Sequence, residues 1–125
     1  MFKYQNTKST GSKSWVIQRA TGIALVILMI GHYILMHYHP DSGHTYQAVL
    51  NRMSYSWYRI IDISFLVLAM YHGLNGVWGI FRDYELKTWQ NYTIISLLLI
   101  FGIAFLAWGI GIIFSIPYVH TSNVH

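Results

Sequence analysis

Three apolar runs, at positions 20–38, 60–81 and 93–116, take up more than half of this chain, and between them they carry one charged residue, Asp62. Each run is about 20 residues long, the length an α-helix needs to cross a hydrocarbon core of about 30 Å. Lipid offers the backbone no hydrogen-bond partner, so such a run must be helical to satisfy its own amides. The chain is therefore read as an all-α membrane protein with three transmembrane helices, over about 15–38, 58–82 and 92–116, in one membrane domain spanning 1–125. Composition agrees. Of 125 residues, 54% are hydrophobic and 10% charged, and the mean hydropathy is +0.40, too apolar for a soluble domain of this size. The remaining chain is too short for a soluble domain, which argues against an active site built from loops. There is no cysteine, so thiolate-bound iron–sulfur clusters are excluded from this chain.

The polar segments set the topology. Residues 1–13 carry Lys3, Lys8 and Lys13 and no acid. A secretory leader would start this way, but the apolar run that follows is long and lacks a small-residue cleavage site. The segment is read as a cytoplasmic arm or surface helix, with Ser14 as the N-cap of the first span and Trp15 as an interfacial anchor. Lys3, Lys8, Lys13, Arg19, Arg82 and Lys87 stand on one side of the spans, and Arg52 and Arg59 on the other. The excess of cations places the N-terminus and the 82–91 loop in the cytoplasm and the C-terminus outside. The net charge of +4 thus reads as topology and not as nucleic-acid binding. Between the first two spans, Tyr46, Val49, Leu50 and Met53 have the spacing of a short surface helix. Arg59 and Asp62 are three apart and placed to pair. Pro40 and Pro117 are read as stops for the first and third spans.

The middle span carries the main chemical signal. At about 100° per residue, His72, Gly76, Gly79 and Asp83 fall on one stripe. A histidine with glycines below it presents a ligand nitrogen beside a recessed surface, against which a flat cofactor fits. Haem iron takes an axial histidine in many proteins. Two other readings stand beside this one. His72 is a buried histidine bonded to a neighbouring helix, or the glycines serve close helix approach. A bis-histidine site on His72 would need a partner chain. His32, deep in the first span and about 20 Å beyond Arg19, is a second candidate, as ligand or as structural histidine. His37, His39, His44, His120 and His125 lie at or outside the membrane edge and read as surface residues. Arg19 sits at the cytoplasmic boundary, placed to snorkel or to meet an anionic group. Asp83 and Tyr84 lie at the same boundary. They read either as a helix end with an interfacial tyrosine or as a polar gate whose hydroxyl donates to a ligand carbonyl.

The run from His72 to Tyr84, His-Gly-Leu-Asn-Gly-Val-Trp-Gly-Ile-Phe-Arg-Asp-Tyr, resembles the second helix of the D-type membrane-anchor subunits of succinate dehydrogenase. That family carries His-x-x-x-Gly followed by Asp-Tyr, with the same separation of histidine and aspartate. Arg19-Ala-Thr-Gly resembles the opening of that family's first helix. The length, the three spans and the inside N-terminus match as well. The related C subunits usually carry Arg-His after the glycine, where this chain has Val77 and Trp78, so the D type is favoured. The resemblance implies that His72 is an axial ligand of haem b, the second ligand coming from a C-type subunit. It implies that Arg19 lies near the haem propionates, that Tyr84 hydrogen-bonds a quinone carbonyl, and that Asp83 belongs to the quinone site. His32 departs from one-haem members and matches a ligand position of two-haem relatives, which makes it a candidate axial ligand of a second haem.

The expected function is therefore a cytochrome b anchor of succinate dehydrogenase in the plasma (inner) membrane of a prokaryote, in preference to a mitochondrial inner membrane. The expected partners are the C-type anchor, the iron–sulfur subunit, the flavoprotein subunit, membrane lipid and quinone. Succinate oxidation belongs to the flavoprotein. The alternatives are an anchor of fumarate reductase or another quinone-linked oxidoreductase, and a haem-free structural anchor.

Overall fold

A computed structural model of the chain describes residues 8–38 and 43–117, which form four helices: α1 Lys8–Tyr38, α2 Tyr46–Met53, α3 Ser56–Arg82 and α4 Thr88–Ser115. Segments Ser12–Tyr38, Ser56–Arg82 and Thr88–Ser115 are long and apolar enough to cross a membrane, with mean hydropathies of 1.8, 1.5 and 2.6. The all-α architecture with three spans is thus as the apolar runs require. The short helix read between the first two spans is present as α2. Thr45 caps it by accepting from the Ala48 amide at 3.2 Å, the ordinary work of an N-cap threonine.

Helix α3 is the middle of the molecule, with α1, α2 and α4 each packed on it. The half-buried residues of α1 include Ser14, Gln18, Thr21, Leu25, Leu28, His32 and Leu35. They alternate by four and three, the repeat of a left-handed helix–helix seam. On the other side of α3, Leu74 lies over Gly102 and Leu66 over Gly109 of α4. The two numberings run in opposite directions, so α3 and α4 are antiparallel. Each glycine leaves the hollow its leucine fills, in the manner of small-residue membrane interfaces.

The α1–α2 end is fastened by polar side chains. Gly43 has φ of 112°, a conformation that favours glycine, and its amide donates to the Met36 carbonyl at 3.0 Å. Arg52, buried, donates to the Gly43 carbonyl at 2.8 Å. Arg59, also buried, donates to the carbonyls of Met53 and Ile116. It thereby ties the start of α3 to both its preceding turn and the end of α4. The sequence spacing allowed Arg59 to pair with Asp62. In the structure Arg59 turns to these carbonyls, and Asp62 lies beside His32 of α1.

Two helix starts differ from the hydropathy reading. Helix α1 begins at Lys8 and α4 at Thr88, each several residues before the apolar run. A nucleated helix propagates into adjoining polar sequence where nothing breaks it, and hydropathy marks the lipid-buried part alone. Ser14 is consequently interior to α1 and not its N-cap. Helix α4 ends at Ser115, and Ile116 is extended (φ −82°, ψ 124°), as a residue before proline prefers. Pro40, His39, His120 and His125 lie outside the described residues.

Candidate functional site at the α1–α3 seam

The cytoplasmic half of the α1–α3 seam, as the cation count orients the chain, is polar where its other half is leucine-rich. Ser14, Gln18 and Thr21 are three consecutive seam positions on α1. They face His72 and Asn75, which are three apart on α3. The hydrogen bonds among them form one directed series. The Ser14 hydroxyl donates to Asn75 Oδ1 at 3.1 Å. Asn75 Nδ2 donates to Gln18 Oε1 at 2.7 Å. Gln18 Nε2 donates to the His72 carbonyl at 3.1 Å and lies 3.4 Å from His72 Nε2. On the other edge of the ring, His72 Nδ1 is 3.1 Å from Thr21 Oγ1.

Thr21 assigns the proton on this histidine. A hydroxyl has one proton, and Thr21 Oγ1 sits 2.8 Å from the Ile17 carbonyl and 3.1 Å from the Gln18 carbonyl. Both carbonyls are acceptors, so the threonine proton goes to them and the oxygen accepts from His72. The ring therefore carries its hydrogen on Nδ1 and its lone pair on Nε2. The Gln18 amide agrees, because it offers N–H to Nε2. Such a bond on one nitrogen fixes which nitrogen is left to bind a metal.

Small residues make the approach possible. A Cβ on Gly22 would meet His72 Cε1 at 3.2 Å, and one on Gly76 would meet Gln18 Nε2 at 3.0 Å. Gly76 thus seats the α1 side chain, whereas a Cβ on Gly79 would meet nothing within 4 Å. Of the two roles open to the glycine stripe, Gly76 serves helix approach and Gly79 stays open. Below the histidine, a cleft of about 480 Å³ is bordered by Gln18, Arg19, Asn75, Gly76, Gly79, Arg82 and Asp83. Arg19 stacks over the Trp15 ring, its guanidinium carbon 3.9 Å from the centroid, which holds the cation at the boundary. Tyr84 follows the α3 C-cap Asp83 and is 66% exposed, outside the cleft rim.

His32 lies toward the other end of the same seam. Its Nδ1 is 3.6 Å from Asp62 Oδ1, and its ring stacks near Phe65 at 6.2 Å between centroids. The side chain is 38% exposed, so one edge faces out of the chain. His37 folds back, its Nδ1 3.0 Å from the Tyr33 carbonyl of its own helix. Among the described residues no three of His, Asp and Glu converge on a point.

The residue types fit an axial haem site. His72 offers one oriented imidazole nitrogen, the open surface of Gly79 lies further down the same helix, and Arg19 and Arg82 border the cleft with positive charge. An iron taking Nε2 would replace the Gln18 amide there and leave the Thr21 bond intact. Sequence reasoning singled out His72 and Arg19 but passed over Ser14, Gln18, Thr21 and Asn75 as site residues. The available signal was their polarity at seam spacing in otherwise apolar helices.

These features define an integral membrane protein whose central helix is joined to its first helix through a polar seam. The chain belongs to the succinate dehydrogenase/fumarate reductase transmembrane subunit family, whose profile matches residues 3–114. It is also similar to the succinate dehydrogenase hydrophobic membrane anchor subunit of Archaeoglobus fulgidus, with 24% identity over 70 residues. These are 56% of this chain and 60% of that relative, so the match spans about three fifths of the relative's length.

Proposed function

We propose that this chain is the D-type cytochrome b anchor of a succinate:quinone oxidoreductase, holding haem b through His72 together with a histidine of a C-type subunit. The observation that carries the reading is the placement of His72. Its Nδ1 lies 3.1 Å from Thr21 Oγ1, a hydroxyl directed at the Ile17 and Gln18 carbonyls, an arrangement that favours a hydrogen on Nδ1 and a lone pair on Nε2 for a metal, in a membrane helix of the right family. Haem, when bound, supplies one-electron redox chemistry. The chain's own contribution is to present the nitrogen in one tautomer and to place Arg19 and Arg82 beside the anionic edge of the group. Tyr84, exposed at the end of α3, donates its hydroxyl to a quinone carbonyl, and Asp83 on the cleft rim orients that region. His32 is the axial candidate for a second haem, with Asp62 behind its Nδ1. The flavoprotein and iron–sulfur subunits dock on the cytoplasmic side, in a prokaryotic plasma membrane, and succinate is oxidised there and not on this chain.

A second reading has one observation in its favour. Both ring nitrogens of His72 have partners within the chain, which also suits a haem-free structural anchor. The purified complex separates the two. His72→Ala is expected to lose haem b, measured as pyridine haemochrome per flavin, while the flavoprotein stays attached. Full haem content with an unchanged low-spin spectrum in that variant would reject the cytochrome reading and leave the structural one.

A further inference from the structure

We infer that Thr21 is a positioning residue for the haem ligand, fixing the tautomer of His72 and strengthening it as an electron donor to iron. The inference rests on the haem reading of His72. Thr21 touches neither iron nor quinone and acts through the imidazole. Its hydroxyl proton is committed to the carbonyls of Ile17 and Gln18. The oxygen therefore faces His72 Nδ1, at 3.1 Å, as an acceptor. The i−4 and i−3 carbonyls are part of the α1 backbone, so the acceptor is as rigid as the helix. Gly22, next to Thr21, allows the ring to sit this close. An acceptor on Nδ1–H pushes electron density toward Nε2. That favours the more positive ferric iron and lowers the reduction potential of the site.

Three substitutions separate hydroxyl from shape. Thr21→Val keeps the branched shape and removes the acceptor. Thr21→Ser keeps the acceptor, and Thr21→Ala has nearly the shape of Ser without it. The intact complex is used throughout, with His72→Ala as reference. Two readouts are taken: the haem b midpoint potential, and the rate of haem loss to excess apomyoglobin. Val and Ala are expected to raise the potential and to weaken haem retention by about 10- to 100-fold, the usual cost of removing a second partner of a metal-bound histidine. Ser is expected to match the unsubstituted complex. If Ser and Ala behave alike, in potential or in failing to assemble, Thr21 contributes packing only and the inference is overturned. It is equally overturned if Val retains the unsubstituted potential and retention while His72→Ala loses haem. Retention of haem by His72→Ala rejects the haem reading itself, an outcome distinct from the other two.

Discussion

Gln18, Thr21 and Asn75 carry no charge, yet with Ser14 they account for the hydrogen bonds between α1 and α3 around His72. Their worth depends on their surroundings, because in lipid an unpaired amide or hydroxyl costs several kcal/mol, on the order of 2–7. Tyr84 is the opposite case, exposed and without a role in the seam. If its hydroxyl binds quinone, Tyr84→Phe should slow quinone reduction by about 2- to 12-fold, the equivalent of 0.5–1.5 kcal/mol for one hydrogen bond. Succinate oxidation by an artificial acceptor should be unchanged. Parallel loss in both assays would identify an assembly defect. His32 is tested by stoichiometry. Two haems per flavin are expected in the intact complex and one in His32→Ala. One haem in both would return His32 to a structural pairing with Asp62, which the 3.6 Å separation already provides.

Helix packing here turns on where a glycine meets a side chain that has no room to move. On α1, a Cβ at Gly22 meets the His72 ring, whereas one at Gly31 meets nothing within 4 Å. Gly22→Val is expected to displace the ring, at a cost of about 1–3 kcal/mol typical of overpacking, and to lower haem content. Gly31→Val should leave both haem and thermal stability of the complex near their original values. Equal effects at the two positions would mean that the α1–α3 seam is not packed as described. The leucine–glycine contacts of α3 with α4 are softer, since the atoms approached are the free ends of Leu66 and Leu74. The extents of α1 and α4 belong to this scale too. Trp89 and Tyr92, exposed at the start of α4, lie in a helical turn ahead of the apolar run, where interfacial aromatics are expected.

At the scale of the molecule, the three long helices bury little against each other. Among the described residues the buried hydrophobic side chains are Tyr58 and Ile113, and large apolar residues are exposed along all three spans. Such a surface suits the apolar interior of a membrane. Topology gives the molecular prediction, and the absence of cysteine makes it direct. Glu85→Cys, between α3 and α4, should react with a membrane-impermeant maleimide only from the cytoplasmic side. Gln47→Cys, on α2, should react only from the outside. The reverse pattern would invert the orientation drawn from Lys and Arg.

Much of this protein is determined by local sequence. Apolar length, together with the need of every backbone amide for a partner in lipid, dictates three membrane helices. The spacing of His72, Gly76, Gly79 and Asp83 follows from helical geometry alone, and so does their common stripe. Which neighbour each residue meets is another matter, because a helix period gives a direction but not the element that lies there. Only the packed structure puts Thr21 on one nitrogen of His72 and Gln18 by the other, seats Gln18 over Gly76, and brings Asp62 to His32 while Arg59 turns to the ends of its neighbouring helices. Those contacts join residues more than fifty positions apart in the case of His72, and they are set by the register of α1 against α3, which no segment of the chain specifies by itself.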